Sequence, residues 1–92
     1  MEKLEFNQKF GAYLKKLRVD RNLTQADIAA DMGINPQNVS EIERGKVSPT
    51  LYWIDRLSKV FKIEPESFIR GFYSESESLV SAKKEINGTT DK

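Results

Sequence analysis

The chain has no cysteine and no histidine among its 92 residues. The first absence excludes a disulfide framework and any thiolate metal site. The second removes Ser-His and Cys-His nucleophile pairs, most zinc sites and the usual general base near neutral pH. Uninterrupted apolar runs are short as well, none approaching the ~20 residues of a membrane span. The first residues, Met1-Glu2-Lys3-Leu4-Glu5, lack the basic-then-apolar order of a secretory signal, so the cytoplasm is the expected compartment. An excess of either charge is also missing: 15 basic and 14 acidic residues leave +1. Any anionic partner must therefore be met by locally placed charge.

What remains is 38% hydrophobic and 32% charged, a composition suited to one soluble, helical domain with a modest core. Phe6, Phe10, Tyr13, Leu14 and Leu17 recur at helical spacing and predict a first helix over Phe6–Asp20. Lys9, Lys15, Lys16 and Arg18 fill much of its other face, with Lys15 and Lys16 read as plain surface charge. Asp20-Arg21-Asn22 is polar and suits a turn.

Two short helices follow. Thr24 with Asp27 three residues on fits a capping box, and Leu23 is placed to staple against Ile28. Ile28, Ala29 and Met32 form the apolar stripe of a helix over Thr24–Met32, and Gly33 supplies a left-handed stop. Asn35 is a favoured N-cap, and Pro36 fits the first helical position, where its missing N–H costs nothing. That second helix, Pro36–Arg44, turns Val39 and Ile42 inward and closes at Gly45. A connection of only Gly33-Ile34-Asn35 forces the pair into a sharp crossing.

Lys46 to Thr50 reads as a loop. A fourth helix carries the stripe Leu51, Ile54, Leu57 and Phe61, with Tyr52 and Trp53 beside it and at least one of them exposed. A fifth starts near Pro65, carries Phe68, Ile69 and Phe72, and is expected to end at Gly71. These elements define a domain over residues 1–73. Residues 74–92, from Ser74-Glu75-Ser76 through Lys83-Lys84-Glu85 to Asn87-Gly88, are too polar to pack and read as a flexible tail, with a frayed helix over Leu79–Ile86.

Residues 23–45, LTQADIAADMGINPQNVSEIERG, resemble the helix-turn-helix of the Cro/lambda-repressor-like, XRE-type regulators. The resemblance covers about residues 6–70. It rests on Leu23-Thr24-Gln25, the small Ala29, the Gly33 turn, the Val39/Ile42 spacing, and Glu43-Arg44-Gly45 followed by Ser48-Pro49-Thr50-Leu51. It implies an all-α fold of five short helices and a cytoplasmic, homodimeric transcription regulator of double-stranded DNA, a repressor in its simplest mode. Neither a cofactor nor a metal is implied. A major groove ~12 Å wide admits one helix, whose N-terminal side chains meet base edges. The resemblance makes Pro36–Arg44 that helix, with Pro36, Gln37, Asn38, Ser40 and Glu41 as base readers. Amides such as Gln37 and Asn38 pair with adenine N6/N7. Glu41 accepts from cytosine N4 but repels phosphate, so it belongs deep in the groove.

The same resemblance gives Gln25 and Lys46 to the DNA backbone, and the Thr24 cap aims a helix N-terminus that favours anions at it. Arg44 is open to a guanine, to the flanking phosphates or to a role complementing its own helix dipole, with the backbone contact taken as the expectation. It pairs Arg18 with Glu43 as an ion pair that orients the motif. Dimer contacts are expected on helix 4, helix 5 and Phe72/Tyr73. The chain length leaves no room for a ligand-sensing C-terminal domain. An alternative role is antitoxin-like, with the tail after Tyr73 binding a protein partner while the motif autoregulates. An enzyme is disfavoured, since no paired-acid arrangement or phosphate-cradling loop accompanies the missing histidine and cysteine.

Overall fold

The computed structural model describes residues 1–76 of the chain. Among these residues there are five helices and no strand. They are α1 (Lys3–Asp20), α2 (Gln25–Met32), α3 (Pro36–Glu43), α4 (Leu51–Val60) and α5 over residues 65–76. α1 starts a turn earlier than its aromatic stripe, because Glu2 in extended conformation serves as its N-cap. The tail beyond residue 76, including the segment Leu79–Ile86, lies outside the described residues.

Four helix ends share one local device. Asn22, Gly33, Gly45 and Lys62 all take positive φ, between 57° and 73°. In each case the next residue's N–H reaches five residues back: Leu23 to Arg18, Ile34 to Ala29, Lys46 to Glu41, Ile63 to Ser58. The left-handed residue itself donates three residues back, as Gly33 does to Ala30 and Lys62 to Lys59. This pair of bonds is the Schellman motif, and it satisfies carbonyls that the last helical turn leaves open. Gly33 and Gly45 are the stops their residue type predicts; Asn22 and Lys62 do the same work without being glycine.

The core gathers Phe10, Tyr13 and Leu14 of α1, Ile28 and Ala29 of α2, Val39 and Ile42 of α3, then Leu57, Phe61, Phe68 and Phe72. Its centre is aromatic. Phe10 packs edge-on against Phe68 and Phe72, with ring centroids 6.1 and 5.6 Å apart, and Tyr13 tilts onto Phe68 at 5.3 Å. Such pairs add about 0.5–1.5 kcal/mol each beyond their buried area. The Tyr13 hydroxyl donates to the Phe68 carbonyl at 2.7 Å, so its one polar group is satisfied inside the core. Burial, with Glu75 nearby, pushes that phenol above its ordinary pKa.

Three expectations are corrected here. Gly71 does not end α5, which continues through Ser74, Glu75 and Ser76. A Cβ on Gly71 would lie 2.6 Å from the Tyr13 hydroxyl, so the glycine is a place for α1 to approach, not a stop. Leu51 is not in the core: it is 76% exposed at the first position of α4, a turn before that helix meets the body at Ile54 and Leu57. Phe72 cannot serve a dimer face, because only 3% of it is exposed. Glu75 is likewise engaged, accepting from Lys16 at 2.7 Å and tying the end of α5 to α1. No helix among the described residues is long and apolar enough to cross a membrane.

Candidate nucleic-acid interface

The site is built outward from two capped helices. Thr24 Oγ1 accepts from the Asp27 backbone N–H at 3.0 Å, while the Thr24 N–H donates to Asp27 Oδ2 at 2.8 Å, completing the capping box. The Thr24 backbone N–H, followed by its side chain, holds the Asp27 carboxyl below the usual aspartate range. Asn35 Oδ1 then accepts from the Gln37 N–H at 2.8 Å, with Pro36 opening α3. Val39 and Ile42 are each 1% exposed and anchor α3's inner face. Its outer face carries Gln37 and Arg44 in the open and Asn38, Ser40 and Glu41 half-buried.

Glu43 holds this helix in place from its far end. Arg18 Nε donates to Glu43 Oε2 at 2.6 Å, and Arg18 Nη2 donates to Oε1 at 3.1 Å. Gln25 Nε2 donates to the same Oε1 at 3.1 Å. The remaining arm of Arg18, Nη1, donates to the Leu23 carbonyl at 2.9 Å. One carboxylate thus accepts three hydrogen bonds and joins α1, the α1–α2 turn, α2 and α3. The Glu43 bond holds Arg18 above the ordinary arginine pKa, against the opposing pull of burial. Because a carboxylate only accepts, it also fixes which end of the Gln25 amide faces it.

Backbone contact completes the frame. A Cβ on Gly11 would meet the Ile42 carbonyl oxygen and lie 2.5 Å from that of Glu43, so α1 crosses directly against the end of α3. A Cβ on Gly45 would sit 3.0 Å from Gln8. Ser48 donates to the buried Asn7 side chain at 2.7 Å, pinning the loop after α3 to α1. For Gly11 the available sequence signal is a lone glycine inside a helical pattern; Ser48 belongs to the motif that carries the resemblance, but neither it nor Asn7 signals their mutual bond, since the two meet only in the fold.

The outer face of α3 is left open. The side chains of Gln37, Asn38 and Glu41 make no hydrogen bond or ion pair with any described residue. Among the described residues Arg44 reaches only the Ser40 carbonyl, at a long 3.4 Å, and Lys46 lies exposed beyond Gly45. Asn38 and Glu41 form one wall of a hollow of about 290 Å³ whose other walls are Val47, Ser48, Thr50 and Trp53. Pro36 sits exposed at the near end of the helix. The structure therefore brings Pro36, Gln37, Asn38, Ser40 and Glu41 onto one helix, with Arg44 as its C-cap. Gln25 lies beside them through Glu43, and Thr24 caps the helix that carries Gln25.

This geometry has known counterparts. A family model described as Helix-turn-helix matches residues 14–68. The chain belongs to the XRE-type helix-turn-helix family. Members of this family are DNA-binding transcriptional regulators. An uncharacterized HTH-type transcriptional regulator of Methanocaldococcus jannaschii is 38% identical over 53 residues, covering 58% of this chain and 80% of that protein. The transcriptional repressor RstR of the cryptic phage CTXphi of Vibrio cholerae is 28% identical over 74 residues, covering 80% of this chain and 63% of its own length. The XRE-type fold is shared with the restriction-modification controller protein C.Esp1396I, solved as a tetramer with its natural 35 base-pair operator. That match has a TM-score of 0.69 at 23% identity and covers 76% of this chain and 92% of that one.

Proposed function

We propose that this protein is a sequence-specific repressor that reads an inverted-repeat operator as a homodimer, with α3 lying in the major groove. The observation that carries this reading is the contrast along α3. Its inner and C-terminal side is locked by Val39, Ile42 and the three-bond Glu43 junction, while Gln37, Asn38 and Glu41 hold no partner among the described residues. A rigid helix with unsatisfied amide and carboxylate groups on its outer face suits base-edge recognition, which needs fixed geometry and free donors and acceptors.

The roles follow from chemistry. Gln37 and Asn38 pair with adenine N6/N7, and Glu41 accepts from cytosine N4. Pro36 and Ser40 give apolar and hydroxyl contact on the same face. Arg44 and Lys46 neutralise phosphates at the C-terminal end of α3, and the Thr24-capped start of α2, tied to that end through Gln25 and Glu43, faces the backbone with the second Gln25 amide N–H as a donor. With a net charge of only +1, affinity without sequence match is modest and falls steeply with salt. A helix of eight residues reads few base pairs, so two copies bound about one turn, ~34 Å, apart supply the specificity a single copy lacks. Occluding a promoter is the simplest output, and the likeness to RstR favours it over activation. Such a role places the protein in the cytoplasm.

The decisive experiment is selection of binding sites from random duplex DNA, followed by footprinting. Enriched inverted repeats are expected. No enrichment, with binding indifferent to Gln37→Ala and Glu41→Ala, would overturn the reading.

A further inference from the structure

We propose that the hollow between α3 and the start of α4 binds a small organic cation with a planar apolar body, an aryl amidine, aryl guanidine or arylalkyl amine in class. Such a ligand competes with DNA for Asn38 and Glu41. The site itself stands apart from the operator reading above; only the competition rests on it.

The hollow holds about 290 Å³, close to the lower end of the range for small-molecule sites. Its walls are fixed without a ligand. Val39 and Ile42 seat α3 on the core. The Lys46 N–H donates to the Glu41 carbonyl at 2.9 Å and holds the loop against the end of that helix. Ser48 is bonded to Asn7, and Thr50 Oγ1 accepts from the Trp53 N–H at 3.1 Å, which fixes the first turn of α4. Binding therefore needs little ordering of the protein.

The chemistry of the lining selects the ligand. Asn38 and Glu41 stand three residues apart on one helix face, and neither side chain has a partner among the described residues. Glu41 is the one charged residue that lines the hollow among the described residues. A carboxylate half-buried beside Val47 and Trp53 gives up part of its hydration and receives no donor in exchange. A cation with its own N–H groups supplies both charge and donors. Amidinium and guanidinium place two parallel N–H groups on one carboxylate, and the Asn38 amide oxygen is available to a third. Trp53 is the side chain best suited to take a planar ring or a cation against its face.

Two other hollows lack this pattern. The one between α2 and the end of α4 sets Arg56, Lys59 and Lys62 against Asp31. The groove between α1 and α5 already contains the Lys16–Glu75 ion pair. Only at the reading helix is a carboxylate left open against an aromatic wall. A ligand there takes two groups that α3 offers to bases, so the hollow and the major groove cannot hold the same side chains at once. The ligand would act as an inducer at the reader itself, with no change of conformation required.

Trp53 is the chain's single tryptophan, so its fluorescence reports directly on the site. The test titrates the full chain, without DNA and at constant ionic strength, with benzamidine and with its neutral isostere benzamide. Benzamidine is expected to change the emission saturably, with a dissociation constant of about 1 mM or below. Benzamide is expected to bind at least about 10-fold more weakly, and Glu41→Gln to weaken benzamidine by a similar factor. Glu66→Gln, which removes an exposed carboxylate of α5, is expected to change nothing. Amide chemical shifts at Asn38, Glu41, Val47 and Trp53 locate the ligand independently of any variant.

No saturable change would leave DNA as the only occupant and overturn the proposal. Equal binding of benzamide, equal weakening by Glu66→Gln, or shifts centred elsewhere would overturn it too. With a selected operator bound, benzamidine and not benzamide is expected to release the duplex; benzamidine binding without release would overturn the competition. A chain that binds benzamidine in the hollow but selects no DNA sequence would keep the site and remove the operator reading.

Discussion

Arg18 and Glu43 meet through two parallel hydrogen bonds across the angle between α1 and the end of α3, with 14% and 4% of their side chains exposed. A pair this sheltered is costly to halve, because the surviving charge keeps its desolvation and loses its partner. Glu43→Ala should therefore cost about 3–5 kcal/mol. Thermal melting should show a fall of roughly 10 °C or more for a domain of this size. Replacing both residues by apolar ones of similar volume should recover much of that loss. An unchanged melting temperature in Glu43→Ala would remove the bracing role.

Two glycines of similar appearance should respond differently to alanine. At Gly11 the added carbon meets the Ile42 and Glu43 carbonyls, backbone atoms that cannot yield without parting α1 from α3. At Gly33 nothing lies within 4 Å, and the penalty is only that of a left-handed φ of 68°. Gly33→Ala should cost about 1–2 kcal/mol. Gly11→Ala should cost more, and it alone should also disturb DNA binding. Denaturant midpoints of the two variants, read beside operator affinity, check the order.

The Thr24–Asp27 box gives a pH signature. Thr24 lowers the Asp27 pKa in the folded chain beneath its ordinary value of 3.8, so the unfolded state holds the proton more tightly. The stabilisation is thus fully present above that value and is lost as the pH falls through the folded one. The stability gap between wild type and Asp27→Ala should be constant near neutrality and shrink in acid. A gap that widened on acidification would contradict the assigned sign.

On DNA, the two classes of contact should separate. Gln37→Ala and Glu41→Ala should each relax preference at one operator position by about 1–3 kcal/mol. Lys46→Ala should weaken all sequences alike and reduce the magnitude of the salt slope by about 1. Titrations against matched and mismatched duplexes at several salt concentrations distinguish them. A Lys46 variant that altered sequence preference would reverse the assignment.

Lys62 offers a stabilising change. It holds φ at 57° with a full side chain, in a motif that glycine satisfies freely at Gly33 and Gly45. Lys62→Gly should gain up to about 1 kcal/mol, part of the strain relief being offset by the entropy of a looser unfolded chain. Chemical denaturation measures it directly.

The motif was legible in the sequence because its signals are local. Thr24 with Asp27, Asn35 with Pro36, and the glycines at 33 and 45 each act within one turn of the chain. The same holds for the inward pair Val39 and Ile42. Gly71 misled because its residue type is equally that of a stop and of a close crossing, and only the fold brings the Tyr13 hydroxyl to it. Leu51 misled because periodicity places a residue on a face but does not say where along the helix the neighbouring body begins. The Asn7–Ser48 bond left no trace at all, since two common polar residues far apart in the chain carry no mutual signal.

Asn35 and Gly45 bound α3 by bonds confined to its own ends, and along the helix the anchoring positions Val39, Ile42 and Glu43 alternate with the outward Gln37, Asn38, Ser40 and Glu41. The helix's length and seating therefore owe nothing to the identity of its outward residues. Successive mutations at those four positions could explore new target sites while the scaffold beneath them stays unaltered, so divergence of recognition between descendants of such a chain need not pass through unstable intermediates.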